Sequence, residues 1–328
     1  MAKPNSISSP TWGDVLTGER GRRLLALLSI IVLHAGGNYM TVTMAASMIA
    51  ELGDGALVGA LTALYNIATI LAAAATGILG DRFGLTRWLW MMALAFAGGA
   101  LLSAIAPTMS LVALGRALSG LGGGGLFALA FIALRHHSST AAWPKIIAFS
   151  GVFWIGAAFT GPLLGGVLAD SLGWRGAFLL SGLFALGYAV MCRNAIASAG
   201  RQSQADQPAA RERFPVWRLV GFGLGVAAIS FAPLVSHPVA MVASTVIGFA
   251  AILYAAMRDR ARPPRLFPRN AFRLGTDQGR ALLAKLVLAS GSMSILVFGP
   301  LVLASVHGYS NTFAGGFILL ETVAWSFA

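Results

Sequence analysis

Ten stretches of the chain are nearly free of charge and long enough to cross a bilayer, and the polar residues are gathered between them. They lie at 24–46, 57–79, 88–107, 111–134, 146–168, 176–192, 219–236, 239–257, 281–304 and 312–328. A helix needs about 20 apolar residues to cover the ~30 Å hydrocarbon layer at ~1.5 Å per residue. Each stretch therefore predicts one transmembrane helix. The first follows a basic flank, Gly21-Arg22-Arg23, but runs too long for the core of a signal peptide, so it predicts an uncleaved span.

Composition agrees with this pattern. The 328 residues are 57% hydrophobic and 10% charged, where a soluble domain carries about 25% charged residues. The net charge of +12 is open to two explanations, polyanion binding or membrane topology, and the positions of the bases separate them. Of the 23 Lys and Arg, 20 fall in segments that share a side with the N-terminus. Only Arg175 falls on the other side, and Arg116 and Lys285 lie within spans. Basic residues near span ends are retained in the cytoplasm, so the charge predicts a cytoplasmic N-terminus in a multi-pass cell inner membrane protein and gives no reason to expect nucleic acid as a partner. The lone Cys192 excludes an intrachain disulfide. His136, His137, His237 and His307 fall in expected loops without ligand spacing, so no metal site is expected.

The order of segments divides the chain into a cytoplasmic N-terminal segment (1–23), a six-helix bundle (24–194), a polar cytoplasmic linker (195–216), an extra helix pair (217–257), a basic cytoplasmic loop (258–280) and the start of a further bundle (281–328). Residues 77–84 and 166–173 both fit G-x-L-x-D-x-x-G, with Asp81 and Asp170 at the acidic position. Three spans separate the copies, so they end on opposite faces. The pattern predicts an all-α membrane protein with inverted three-helix repeats, a construction that opens alternately to the two sides around a midplane site. Two Gly/Asp turns recurring by chance is the competing explanation.

Three motifs carry a resemblance to a known family. Gly77 to Arg87 is similar to a loop signature, G-x-L-a-D-R-x-G followed by bases, in which Leu85 and Thr86 stand where bases are usual. Arg116-Ala-Leu-Ser119-Gly120 resembles R-x-x-q-G in a fourth span, with Ser119 for Gln. Gly161-Pro162-Leu-Leu-Gly165-Gly166 resembles the antiporter motif G-P-x-x-G-G of a fifth span, with Ala157 at its leading glycine position, and Trp174-Arg175 also fits. In this order the motifs resemble the major facilitator superfamily, and within it the 14-span drug:proton antiporter family. The resemblance implies a major-facilitator-like bundle whose 217–257 pair is the family's extra pair, and a sequence that is C-terminally truncated within the second bundle, with about ten transmembrane helices present. Family members often carry an acid near the position of Gly37; the resemblance therefore brings no proton site to the first span.

The resemblance implies a gating loop of Gly77, Asp81, Arg82, Gly84 and Arg87, where helix capping and solvated charge are the plain alternative. It implies a proton-coupling role for Arg116. A charge inside a span costs at least ~2.5–3.5 kcal/mol on insertion scales, so Arg116 either faces the bundle interior or snorkels to the interface. Glu321, the one carboxylate well inside an expected span, is a second coupling candidate or an interfacial residue. Gly161, Gly165 and Gly166 suit close helix approach, and Pro162 favours a kink; the resemblance adds an antiporter role. His34, Asn38 and Thr41 recur on one face of the first span, with Tyr65 and Asn66 on the second. They either line a cavity or make interhelical hydrogen bonds. Glycine-rich helix without a strand and a Lys-Ser/Thr pair is no phosphate cradle, and no enzymatic constellation is present.

The expected activity is secondary transport: proton-coupled efflux of small amphipathic compounds or drugs by alternating access, driven by the proton gradient and needing no cofactor, with the lipid bilayer, protons and a small-molecule substrate as partners. A metabolite uniporter or symporter is the alternative within transport. A transport-incompetent membrane protein is the alternative outside it.

Overall fold

The computed structural model describes residues 11–206, 216–232, 237–261 and 273–307, with 309, 313, 317 and 320. The helices are α1 (Trp12–Leu16), α2 (Gly18–Leu28), α3 (Ile30–Thr43), α4 (Ala45–Leu52), α5 (Val58–Phe83), α6 (Leu85–Ala104), α7 (Met109–His137), α8 (Trp143–Asp206), α9 (Val216–Phe231), α10 (Pro238–Ala261) and α11 (Asp277–Ser305). No strand occurs among the described residues. Seven described segments are long and apolar enough to cross a membrane, and α8 supplies two of them, Thr140–Ala169 and Ser171–Arg201. The shorter apolar helix Val220–Ile229 falls in the seventh expected stretch, and α11 covers the ninth. The tenth lies outside the described residues, apart from single positions.

Helix starts follow local chemistry. Thr11 and Asp14 form a reciprocal capping box on α1, and the Thr108 hydroxyl caps α7 by accepting from the Leu111 amide. The two copies of the repeated motif end in the same way. Gly84, between α5 and α6, has φ 83 and ψ 134, and Gly173, which divides α8, has φ 72 and ψ 161. Positive φ with extended ψ is a conformation that side chains with a Cβ avoid, so the last glycine of each copy makes the turn between two spans. Because neighbouring spans alternate in direction, Gly84 turns at the N-terminal face and Gly173 at the opposite one.

Packing centres on α7, which lies against α5 and α6, while α3 and α6 lie against α8. The contacts use small residues four apart. A Cβ on Gly120 would strike the Tyr65 backbone, and one on Gly124 the Thr69 backbone, so α7 approaches α5 backbone to backbone. On α8, a Cβ on Gly161 would lie 2.7 Å from Tyr39 Cβ and 2.8 Å from the Gly36 carbonyl, and one on Gly165 would lie 3.0 Å from Met40 Cα. In lipid, where no water expulsion drives helices together, such close approach supplies the dispersion that holds them. The apolar core forms two main clusters. One gathers Leu24, Leu27, Trp88, Phe96 and Leu129 towards the N-terminal face, and the other gathers Met44, Met48, Met109 and Phe178 towards the opposite face.

The opposite face is tied by Glu51 of α4. Its carboxylate accepts from Trp174 Nε1 at 2.7 Å and from the Arg175 guanidinium, and Arg175 also donates to the Ala106 carbonyl at 2.9 Å. These donors, Trp174 first, hold the Glu51 carboxyl below its usual range. Helices α9 and α10 pair with each other through the reciprocal close approach of Gly225 and Gly248, and Arg218 meets the buried Asp259 at 3.1 Å. Helix α9 also rests on α5.

The helix of the first span starts at Gly18, six residues ahead of the apolar stretch, and runs to Thr43 through a local irregularity at Ser29, with Gly21, Leu24, Leu27 and Leu28 buried. One expectation needs correction. The expected linker at 195–216 is helical as far as Asp206; Ala195, Ile196 and Ala199 are buried, and its Ala, Arg and Gln residues are good helix formers. The chain keeps helical dihedrals through Pro162, and the non-helical dihedrals inside α8 are at Gly173.

Candidate functional site

Arg116 stands seven residues into α7, on the order of 10 Å along its axis, and is 2% exposed. It does not snorkel. Its side chain turns between α3 and α5, where Nη2 donates to Asn38 Oδ1 at 3.1 Å and the guanidinium carbon lies 3.9 Å from the centre of the Tyr65 ring. A desolvated cation–π contact is worth about 2 kcal/mol and a hydrogen bond to a charged group about 1.5–3 kcal/mol. Together these are of the order of the insertion cost. One group is left over: Arg116 Nε is buried with no hydrogen-bond partner among the described residues. No described carboxylate pairs with the guanidinium.

Tyr65 is fully buried, and its hydroxyl meets His34 Nδ1 at 2.8 Å and the His34 carbonyl at 3.2 Å. His34 in turn stacks on Tyr65 with ring centres 5.2 Å apart and leans on Phe127 at 5.7 Å. Space for the Tyr65 and His34 polar atoms comes from Gly123, where a Cβ would sit 3.0 Å from the hydroxyl and 3.2 Å from Nδ1. The result is a continuous polar series, Asn38–Arg116–Tyr65–His34, crossing three helices inside an otherwise apolar bundle. It joins a fixed positive charge to an imidazole and a phenol, groups that can pass a proton.

The structure thus brings together His34, Asn38, Tyr65 and Arg116. Thr41, although buried, donates its hydroxyl to the Gly37 carbonyl of its own helix at 2.8 Å and takes no part. Asn66 is half-buried and forms no hydrogen bond to a described residue. Phe127 was not singled out by sequence; Gly123 belongs to the glycine run 122–125, which suits tight packing in the fourth span, and lies two turns from Arg116 on the same face of α7.

Asp81, Arg82 and Arg87 are exposed around the Gly84 turn, with the Arg82 guanidinium 5.8 Å from the centre of the Phe83 ring. None of the three forms an ion pair with a described residue. Gly77 is exposed with open space where a Cβ would stand. The motif on α8 is divided: Gly161 and Gly165 make the contact with α3, but Gly166 faces open space, because its position places it a quarter turn off that contact line. Glu321 lies outside the described residues. Among the described residues no group of His, Cys, Asp and Glu has the arrangement of a metal site.

A family model described as Major Facilitator Superfamily matches residues 27–327. A probable multidrug-efflux transporter of Mycobacterium tuberculosis is 28% identical over 229 residues, 69% of this chain and 48% of that protein. A multidrug resistance protein B homolog of the same organism is 29% identical over 208 residues, 63% and 37% of the two chains. Multidrug resistance protein 3 of Bacillus subtilis is 29% identical over 158 residues, 48% and 31%. The chain spans about half the length, or less, of these curated relatives. Among solved structures, the xylose transporter XylE from E. coli aligns with 93% of this chain and 84% of its own at 15% identity and a TM-score of 0.48. With a family model matched from the first span to the end of the sequence, this multi-pass membrane protein belongs to the Major Facilitator Superfamily.

Proposed function

We propose that the chain supplies the N-terminal bundle and the extra helix pair of a proton-coupled exporter of small amphipathic compounds, related to the 14-span drug:proton antiporters. The observation that carries the reading is Arg116, a buried cation whose Nε has no hydrogen-bond partner among the described residues and with which no described carboxylate pairs. A fixed positive charge inside low-dielectric surroundings lowers the proton affinity of any group that comes near it. Its connection through Tyr65 to His34 gives that influence a route across three helices. Relatives named as multidrug-efflux transporters support an amphipathic organic substrate. The basic residues on the N-terminal side support a cytoplasmic N-terminus in the inner membrane.

In this reading α3, α5, α7 and α8 rock as one body, kept rigid by the paired glycine contacts. The Gly84 turn, with Asp81, Arg82 and Arg87, closes against the partner bundle on the cytoplasmic side. Glu321 is a second proton carrier. Everted vesicles from cells expressing the protein test the reading with a fluorescent amphipathic dye. Dye accumulation should collapse when a protonophore dissipates the gradient; accumulation that continues unchanged would remove proton coupling and leave uniport.

A further inference from the structure

Where the spans Gly18–Thr43, Met109–His137 and Thr140–Ala169 meet the N-terminal face, their ends enclose a cavity of about 230 Å³. Its lip is polar: Arg20, Arg23, His137, Ser138 and Ser139, with Asp14 as its one lining carboxylate. Its floor is apolar, made in part by Leu24, Leu27 and Leu134, all buried.

The lip carries unspent capacity for an anion. Asp14 is occupied, accepting from the Thr11 amide and hydroxyl at 2.7 Å each. Arg23 is drawn to Glu19 on its own helix. Arg20 is exposed, and although its charge acts on Asp14 across the lip it forms no ion pair with a described residue, so its guanidinium donors face outward. Ser138 and Ser139 follow α7 in extended conformation, and neither hydroxyl bonds to a described residue. His137 is pinned beside them by its Nε2–H donating to the Ala195 carbonyl at 2.8 Å.

The setting distinguishes a lipid from a free ion. Trp12, two residues before Asp14 of the lip, is 47% exposed, with the Lys145 ammonium 5.2 Å from its ring centre, and tryptophan with lysine marks the headgroup level of a bilayer. We infer that this cavity holds the phosphodiester headgroup of an anionic phospholipid from the leaflet at the N-terminal face, with Arg20 and the Ser139 hydroxyl as its principal contacts. The site is separate from the Arg116 series and does not depend on the transport reading.

Native mass spectrometry of the purified full-length protein with added phosphatidylglycerol tests this. One phosphatidylglycerol should be retained about fivefold more than phosphatidylcholine, the effect expected of one basic contact. Arg20→Glu and Ser139→Glu, both at exposed positions, should each remove that preference, while Arg22→Glu, exposed and outside the cavity, should keep it. Equal retention of the two lipids, or equal losses in the Arg22 and Arg20 variants, would overturn the site. Displacement of the lipid by glycerol 3-phosphate at comparable concentration would overturn its assignment to lipid in favour of soluble phosphate esters. Melting temperatures confirm folding, and if Arg20→Glu fails to fold, Ser139→Glu alone decides.

Discussion

The guanidinium carbon of Arg116 lies 3.9 Å from the centre of the Tyr65 ring, and the hydroxyl of that ring lies 2.8 Å from His34. One aromatic side chain on α5 therefore both shields a cation from α7 and connects it to an imidazole on α3. The two functions separate by substitution. Tyr65→Phe keeps the ring over Arg116 and removes only the bond to His34; the loss should be about 1 kcal/mol, seen as a small drop in melting temperature in detergent. Tyr65→Leu exposes the cation to an aliphatic wall and should cost about 2 kcal/mol more. Equal losses for the two variants would show that the ring does not hold the charge.

The glycine contacts predict a contrast between neighbours. Gly165→Leu must force α3 and α8 apart, since even a Cβ would lie 3.0 Å from Met40 Cα, and should cost at least ~1–3 kcal/mol or prevent assembly. Gly166→Leu meets open space and should leave folding nearly unchanged. Size-exclusion chromatography and melting curves of the two variants give the comparison.

The turn glycines predict a different kind of loss. A Cβ at Gly84 or Gly173 meets no atom, yet both residues have positive φ. Gly84→Ala and Gly173→Ala should each cost about 1–3 kcal/mol through backbone strain alone. Equal effects at the two sites, measured as shifts in melting temperature, are expected if the motif copies perform the same turn on the two faces.

Acid should loosen the face opposite the N-terminus. Because Trp174 and Arg175 hold the Glu51 carboxyl below its ordinary value of 4.5, folding favours the ionised form. The stabilisation is complete above that value and is lost as pH falls through the lowered one. Thermal stability of the wild type should fall below about pH 4.5 more steeply than that of Glu51→Gln, whose stability lacks this contribution throughout.

Much of this architecture was legible in the sequence because lipid imposes simple rules. Apolar length marked the spans, and the G-x-L-x-D-x-x-G copies marked two turns that the structure finds at Gly84 and Gly173. Arg116 was legible as a charge that either turns into the bundle or snorkels to the interface, and its burial decides for the bundle. What its partner would be was not legible, since Asn38 and Tyr65 are 78 and 51 positions away and only packing brings them together. Periodicity put Thr41 on the same face as His34 and Asn38, but a threonine hydroxyl satisfies itself on the carbonyl four residues back, as here with Gly37. The helical run to Asp206 was hidden for the opposite reason: polar composition resembles a linker, although Ala195, Ile196 and Ala199 place a buried stripe within it.

If the buried charge of Arg116 couples substrate to protons, drug-induced proton movement in proteoliposomes reports it without intermediaries. With a pH-sensitive dye inside the vesicles, adding an amphipathic substrate should move protons for the wild type, weakly for Arg116→Lys, which keeps the charge but not the planar contact with Tyr65, and not at all for Arg116→Met. Undiminished proton movement in a folded Arg116→Met protein would refute the coupling role of this arginine.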